Sequence, residues 1–341
     1  MTQGNPIPFL QRIAVLIPCY NEEQTVAQVV QDFREVLPGA MIYVYDNNSG
    51  DQTIRKATEA GAIVRSEKYQ GKGNVMRRMF SDIEADIYIL VDGDSTYHAA
   101  SAPDMIDKLL TEQLDMVVGT RLTAHEGDAS FRRGHQLGNH LLTGFMSMLF
   151  GRQLTDMLSG YRVMSRRFVK SFPALAQGFE TETELTIHAL ELKMPVAEVI
   201  TPYGSRPVGS ESKLSTYRDG YRILLTIIAL FKKERPLIFF SILFCLLAAI
   251  SVGLAIPVLL TYAKTGLVPR FPTAILATGI MLLACLSLAC GLILDTVTHG
   301  RRELKRLRYL TVAAPGPDGQ GGQIYCAAGQ NHLLQQVHIG G

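Results

Sequence analysis

The stretch Ile87-Tyr88-Ile89-Leu90-Val91-Asp92-Gly93-Asp94-Ser95 sets an apolar run directly against two carboxylates separated by one glycine. A short apolar run bounded by turn residues reads as a buried strand, so Asp92 and Asp94 stand at the strand's end. Two carboxylates one residue apart can share a hard cation. Mg2+ or Mn2+ takes one or two protein carboxylates and completes its shell with water and phosphate oxygens, which suits a nucleotide-diphosphate leaving group. A D-x-D triplet is common in loops, and its position after a buried strand is what gives it weight.

Outward from this stretch, β-branched runs alternate with helical ones. Arg12 to Ile17, Met41 to Tyr45, Ala62 to Arg65, Asp86 to Val91 and Asp115 to Gly119 read as strands. Glu22 to Val36, Gln52 to Ala60, Lys72 to Glu84 and Ala102 to Leu110 read as helices. Such alternation predicts an α/β domain with a mostly parallel sheet. Ligands of open α/β sheets collect at the carboxyl ends of the strands, which directs attention to the loops after Ile17, Tyr45, Arg65 and Val91.

The first of these loops is Pro18-Cys19-Tyr20-Asn21-Glu22-Glu23. A dinucleotide-binding dehydrogenase carries G-x-G-x-x-G here, and this chain does not. Tyr20 suits stacking on a base and Glu22 suits ribose hydroxyls; the same residues also suit a helix start with Asn21 as cap. Asp46 ends the second predicted strand ahead of the turn-rich Asn47-Asn48-Ser49-Gly50-Asp51, and faces the same crevice as Pro18 and Asp92. Lys72 has two readings, a ligand-facing residue or a solvated lysine at a helix start.

The 341-residue chain is 47% apolar and 19% charged, and the apolar excess lies in its last third. A net charge of +2 lacks the basic face that nucleic-acid binding requires, so no nucleic acid is expected. The five cysteines have no metal-ligand spacing, and three of them lie in apolar runs, which fits a reduced, cytoplasm-facing protein. Met1 to Gln11 does not read as a signal peptide. Leu237 to Leu260 and Phe271 to Leu294 are uncharged and each long enough to cross a bilayer. Lys232, Lys233 and Arg235 precede the pair, and Arg301, Arg302, Lys305, Arg306 and Arg308 follow it, whereas the connecting loop has only Lys264 and Arg270. The positive-inside rule then predicts a hairpin with the catalytic domain and both ends in the cytoplasm. Tyr217 to Phe231 has the apolar spacing of an interfacial helix, and Gly134 to Phe150 fits either an interfacial or a core helix.

At this point a resemblance becomes specific. Pro18-x-Tyr20-Asn21-Glu22, Asp46-Asn47-x-Ser49-x-Asp51-x-Thr53, Gly71-Lys72-Gly73 and Asp92-x-Asp94 occur in the order and spacing of the family 2 glycosyltransferases with the Rossmann-like GT-A fold. Within that family the chain resembles the dolichyl- and polyprenyl-phosphate sugar synthases through Val118-Gly119-Thr120-Arg121, Arg132-Arg133, Asp156-x-x-Ser159-Gly160-Tyr161-Arg162 and Arg206-x-x-Gly209-Ser210-x-Ser212-Lys213. The resemblance implies that Pro18, Tyr20, Glu22, Asp46 and Asp92, with Lys72, bind the nucleotide, and that Asp92 and Asp94 hold Mg2+ or Mn2+. It implies Asp94, Arg206 and Lys213 as the catalytic group, with Arg206 and Lys213 on the donor diphosphate. Arg121, Arg132, Arg133, Asp156 and Ser159 are implied at the acceptor phosphate, where guanidinium groups suit the geometry. Ser95-Thr96 stand where a glutamine often follows the D-x-D pair in dolichyl mannosyl synthases, which leaves the third metal contact unassigned.

The organisation that follows is an N-terminal extension (1–11), a catalytic domain (12–215), a juxtamembrane amphipathic helix (216–235), a two-helix hairpin (236–296), a basic segment (297–310) and a tail expected to be disordered (311–341). The expected reaction is an inverting, metal-dependent hexosyl transfer from a nucleotide-diphosphate sugar to polyprenyl phosphate, with the bilayer as a partner. A UDP-sugar is favoured over GDP-mannose by resemblance, and a homo-oligomer is compatible with the sequence. A phosphate monoester is already largely ionised at neutral pH, so the nucleophile needs little help from a base. Two alternatives belong to other classes: a processive polysaccharide synthase and a non-catalytic membrane-bound nucleotide-sugar binding protein. The first calls for a Q-x-x-R-W motif, and this chain has no tryptophan. The intact carboxylate pair, Arg206 and Lys213 argue against the second.

Overall fold

The computed structural model describes residues 12–122, 155–175, 180–204, 228–229 and 231–314. By chain contacts the molecule divides into two units, one of Met1–Leu214 with Lys305–Gly341 and one of Ser215–Leu304.

In the first unit the elements run β1 (Ile13–Cys19), α1 (Val26–Val36), β2 (Met41–Asp46), α2 (Thr53–Glu59), β3 (Ile63–Ser66), α3 (Lys72–Asp82), β4 (Ile87–Leu90), α4 (Ala102–Thr111), β5 (Met116–Leu122), β6 (Arg162–Ser165), α5 (Arg166–Ser171), α6 (Thr181–Glu191) and β7 (Val196–Pro202). They build a seven-stranded sheet ordered β3-β2-β1-β4-β6-β5-β7. The β1/β2, β1/β4, β2/β3 and β5/β7 pairs are parallel, while β6 runs antiparallel between β4 and β5. The expected mostly parallel α/β sheet is therefore present, and β6 and β7 are added to the predicted strands.

Both faces of the sheet are covered, which explains why its central strands are apolar throughout rather than alternating. Ile13, Val15, Ile17 and Cys19 of β1 pack with Val26, Val29, Val30 and Phe33 of α1 and with Met105, Ile106 and Leu109 of α4. Ala14 and Leu16 face the other way, into a core with Val75, Met76, Met79 and Phe80 of α3 and Leu185 and Ala189 of α6. The chain leaves β1 toward β2 on one side, while β4 pairs on the other. That divergence opens a crevice at the carboxyl ends of these strands, where Cys19 lies in register with Asp46.

In the second unit, α7 (Pro236–Thr265) and α8 (reaching from Phe271 to Leu310) are long and apolar enough to span a bilayer. They pack on each other through a seam of small side chains. Ala277, Ala284, Gly291 and Thr298 are buried at intervals of seven along α8, and Ser251 of α7 donates a 2.7 Å hydrogen bond to the Ala277 carbonyl. A methyl on Gly291 would stand 2.8 Å from Phe240 Cβ, so the close approach requires glycine there. At the charged end Arg302 donates to the Glu234 carbonyl at 2.8 Å. The helix α8 runs on without a break through the segment read from the sequence as a separate basic stretch. Hydropathy marks the part of a helix that suits lipid; it does not mark where the hydrogen-bond ladder stops.

The last residues of α8 belong to the first unit. Lys305 pairs with the buried Glu191 of α6 at 2.6 Å, and the Tyr309 hydroxyl donates to Asp115 Oδ2 at 2.8 Å. The Tyr309 ring packs on the α3/α6 side of the core under the Arg167 guanidinium. Asp115 is fully buried and also accepts from Ser165 at 2.7 Å and from Arg167.

Candidate active site

Two loops at the strand ends are stitched into one surface. Beyond β1 the chain turns through Asn21 with a left-handed φ of 54°. The Asn21 and Glu22 amides donate to Ser49 and Thr53 hydroxyls, both at 2.9 Å, and Asn21 Oδ1 accepts from the Gly50 amide at 2.8 Å. Asn21 is therefore no helix cap: α1 begins at Val26, and Asn21 instead ties the first loop to the second. Tyr20 is 38% exposed at the rim. Pro18 precedes it within β1, and Glu22 accepts backbone bonds from Thr25 and Val26 at 3.1 and 3.0 Å.

Asp46 closes β2 and is buried. Its Oδ2 accepts from the Ser49 amide at 3.1 Å, whereas Oδ1 is buried with no hydrogen-bond partner among the described residues. A buried carboxylate oxygen left in that state is costly unless a donor from outside completes it.

Asp92 and Asp94 follow β4. Asp94 is buried, and its Oδ1 accepts from the amide and hydroxyl of Thr96 at 3.2 and 2.6 Å. Thr96 thus orients Asp94. The Gly93 carbonyl accepts from Thr25 at 2.6 Å, which anchors the D-x-D turn to the start of α1. Hard carboxylate oxygens at this spacing fit Mg2+ or Mn2+. No group of three or more His, Cys, Asp or Glu gathers among the described residues.

Lys72 is not a solvated lysine. It is half-buried at the first position of α3, with Nζ 2.5 Å from Asp92 Oδ1 and 2.5 Å from Glu182 Oε1. Burial alone would lower its pKa, but Asp92 and Glu182 outweigh that and raise it, so the group is a fixed cation. The sequence reading missed Glu182, which hides in the alternating Glu180-Thr181-Glu182-Thr183-Glu184.

The loop before β6 supplies the opposite wall. Arg121 forks onto Asp156 at 2.7 and 2.8 Å and lies over the Tyr203 ring. Ser159 is fully buried, donating to the Gly119 carbonyl at 2.5 Å and accepting from the Tyr161 amide at 3.2 Å. Asp156 and Ser159, both expected at the acceptor phosphate, are thus bonded within the protein, the carboxylate to Arg121 and the hydroxyl to the Gly119 carbonyl. Arg162, fully buried, holds the loop from beneath, donating to the Ser159 and Met157 carbonyls and to Thr186 at 3.0, 2.7 and 3.0 Å. Arg132, Arg133, Arg206 and Lys213 lie outside the described residues, as do most of the two predicted interfacial helices and the C-terminal tail.

The Rossmann-like sheet, with an acidic pair and a tyrosine at its strand ends, has the architecture of a glycosyltransferase of the GT-A type. The comparisons with known proteins agree. The sequence model of Glycosyl transferase family 2 matches residues 14–172, and the Haloferax volcanii glycosyltransferase AglJ is 31% identical over 306 residues, covering 89% of this chain and all of that one. The chain belongs to glycosyltransferase family 2. A dolichyl-phosphate hexose transferase of the same organism is 27% identical over 65% of this chain and 95% of its own length. Among solved structures, Mycobacterium tuberculosis glucosyl-3-phosphoglycerate synthase in complex with Mn2+, UDP and phosphoglyceric acid aligns with a TM-score of 0.51 at 25% identity, over 64% of this chain and 78% of that one.

Proposed function

We propose that this glycosyltransferase moves a hexosyl group from a UDP-sugar onto a polyprenyl phosphate at the cytoplasmic face of a membrane, with inversion at the anomeric carbon. The observation that carries the reading is the placement of Asp46, Asp92 and Asp94 at the carboxyl ends of β2 and β4, the two strands that flank β1, in a chain that also holds two bilayer-length helices. The unpartnered Asp46 Oδ1 suits a ring N–H of the base, and Tyr20 suits the base's face. The related dolichyl-phosphate hexose transferase supports the lipid acceptor, and the Mn2+ and UDP in the mycobacterial complex support the donor and metal. The basic residues at the outer ends of the hairpin support the cytoplasmic face.

In this reading Asp92 and Asp94 would hold the divalent cation, which supplies positive charge against the departing diphosphate. Arg206 and Lys213 are assigned to the same diphosphate, and Arg121, held by Asp156, to the acceptor phosphate with Arg132 and Arg133. An acceptor phosphate oxygen attacks the anomeric carbon as the bond to the diphosphate breaks. The nucleophile carries its own charge, so rate comes from alignment and charge stabilisation rather than from a strong base. Confining the acceptor to the bilayer that anchors the enzyme raises their effective concentration.

Membranes containing the protein are offered a panel of radiolabelled nucleotide sugars with a short polyprenyl phosphate. Label from a UDP-sugar enters the lipid phase, and Asp94→Asn abolishes the transfer. Undiminished transfer by that variant, or no lipid label from any UDP-sugar, removes the reading.

A further inference from the structure

Lys72 and Glu182 open two different helices, α3 and α6, and their side chains meet behind Asp92. Glu182 is only 5% exposed, and a carboxylate so removed from water is retained when a cation pairs with it. Its partner is the same ammonium that grips Asp92 Oδ1. On the other oxygen, Asp92 Oδ2 abuts Gly160, where an added methyl would stand at 2.3 Å. The Asp92 carboxylate is thus gripped from one side and closely bounded on the other.

The formal charges decide what this arrangement does. Asp92 and Asp94 together match a divalent cation, but the Lys72 ammonium touching Asp92 cancels one of their two charges and repels a second cation. Glu182 takes up that ammonium charge and returns the site to the full value of its acidic pair. Because Glu182 is buried where it meets Lys72, water screens only part of the imbalance that its loss would create.

We propose that Glu182 is a positioning residue of the Asp92/Asp94 metal site: it fixes the Lys72 ammonium against Asp92 and neutralises it, so that the acidic pair keeps its affinity for a divalent cation. This rests on the assignment of Asp92 and Asp94 to the metal. Loss of a supporting partner of this kind typically weakens metal binding about tenfold to a hundredfold.

The test titrates Mn2+ into the full-length protein in nanodiscs with saturating UDP, following the electron paramagnetic resonance signal of free Mn2+; UDP binding without metal serves as a second readout. Glu182→Gln is expected to weaken Mn2+ binding about tenfold or more while leaving metal-free UDP binding unchanged. The double variant Lys72→Met/Glu182→Gln, titrated without UDP beside wild type and Glu182→Gln under the same condition, removes both charges, keeps the net charge of the site and recovers most of the lost affinity. A merely structural role for Glu182 predicts no such recovery. If Glu182→Gln does not fold, the double variant alone carries the test: retained Mn2+ affinity supports the proposal and its loss overturns it. Wild-type affinity in folded Glu182→Gln, with Asp92→Asn unable to bind Mn2+, overturns the proposal and leaves the metal assignment standing. Undiminished Mn2+ binding by Asp92→Asn removes the metal assignment itself.

Discussion

The α-carbon of Gly160 packs so closely on the carboxylate of Asp92 that a methyl group in its place would stand 2.3 Å from Oδ2 and 2.9 Å from Cγ. The obstacle is the end of a side chain, not backbone, so Gly160→Ala yields by pushing the carboxylate aside. The fold is expected to persist, with a thermal midpoint within a few degrees of wild type, while sugar transfer falls about tenfold or more, as removal of one preorganised group commonly costs. Parallel loss of stability and activity would show that the glycine serves the fold and not the carboxylate.

Arg162 has no bonded carboxylate partner among the residues its guanidinium is seen to meet, and burial lowers its pKa. Its worth lies in the two carbonyls and the Thr186 hydroxyl that it satisfies. Arg162→Met leaves several buried acceptors without donors and should cost about 3 kcal/mol or more, at roughly 1–3 kcal/mol for each orphaned group. Denaturant unfolding of the purified variant measures it, and a loss below about 1 kcal/mol would contradict the account.

His188 sits between Phe168 and Phe172, with Nε2 at 3.0 Å from the Ser171 hydroxyl. Burial, aided by the nearby Lys305 charge, lowers its pKa from 6.5 to about 3. The folded protein therefore keeps it neutral where the unfolded chain already binds a proton, and stability falls as pH drops below 6.5. At pH 5 the loss is about 2 kcal/mol relative to pH 8, and it deepens toward pH 3. His188→Gln should flatten this dependence, which thermal unfolding across pH 4–8 will reveal.

Tyr309→Phe removes one of the donors to the buried Asp115 while keeping the ring over which Arg167 lies. The expected cost is about 1–2 kcal/mol, within the range for a bond to a charged, buried acceptor. Limited proteolysis of the 305–314 segment should accelerate accordingly, and an unchanged rate would mean that the hydrogen bond adds nothing.

What the sequence disclosed, and what it hid, follows from where the physical signal resides. The strands β1, β2 and β4 are enclosed by helices on both faces, so each announces itself as an apolar run with its functional carboxylate just beyond. The strand β6 is four residues long and begins with Arg162, a residue that composition places on a surface and the structure buries completely. The edge strand β7 carries Glu198 and ends on Pro202, which masks its pairing with β5. Asn21 has the chemistry of a helix cap, and only the path of the loop shows that its amide bonds reach sideways to Ser49 and Gly50. Glu182 stands among alternating acids and threonines that look like a solvated helix start; its burial beside Lys72 comes from long-range packing, in which α3 and α6 share one core. Residue type located the chemistry, and long-range packing decided which of the chemically suitable groups are already spent.

Lys305 and Tyr309 give the hairpin's exit helix a further significance, because they fill places inside the sheet-bearing unit although they are translated after both apolar segments. A polypeptide emerging from the ribosome has all seven strands available by Pro202, yet Asp115 and Glu191 wait for partners more than a hundred residues downstream. Completion of the catalytic unit is therefore timed to follow synthesis of the apolar hairpin. A soluble fragment ending before Pro236 would leave two buried carboxylates short of a donor.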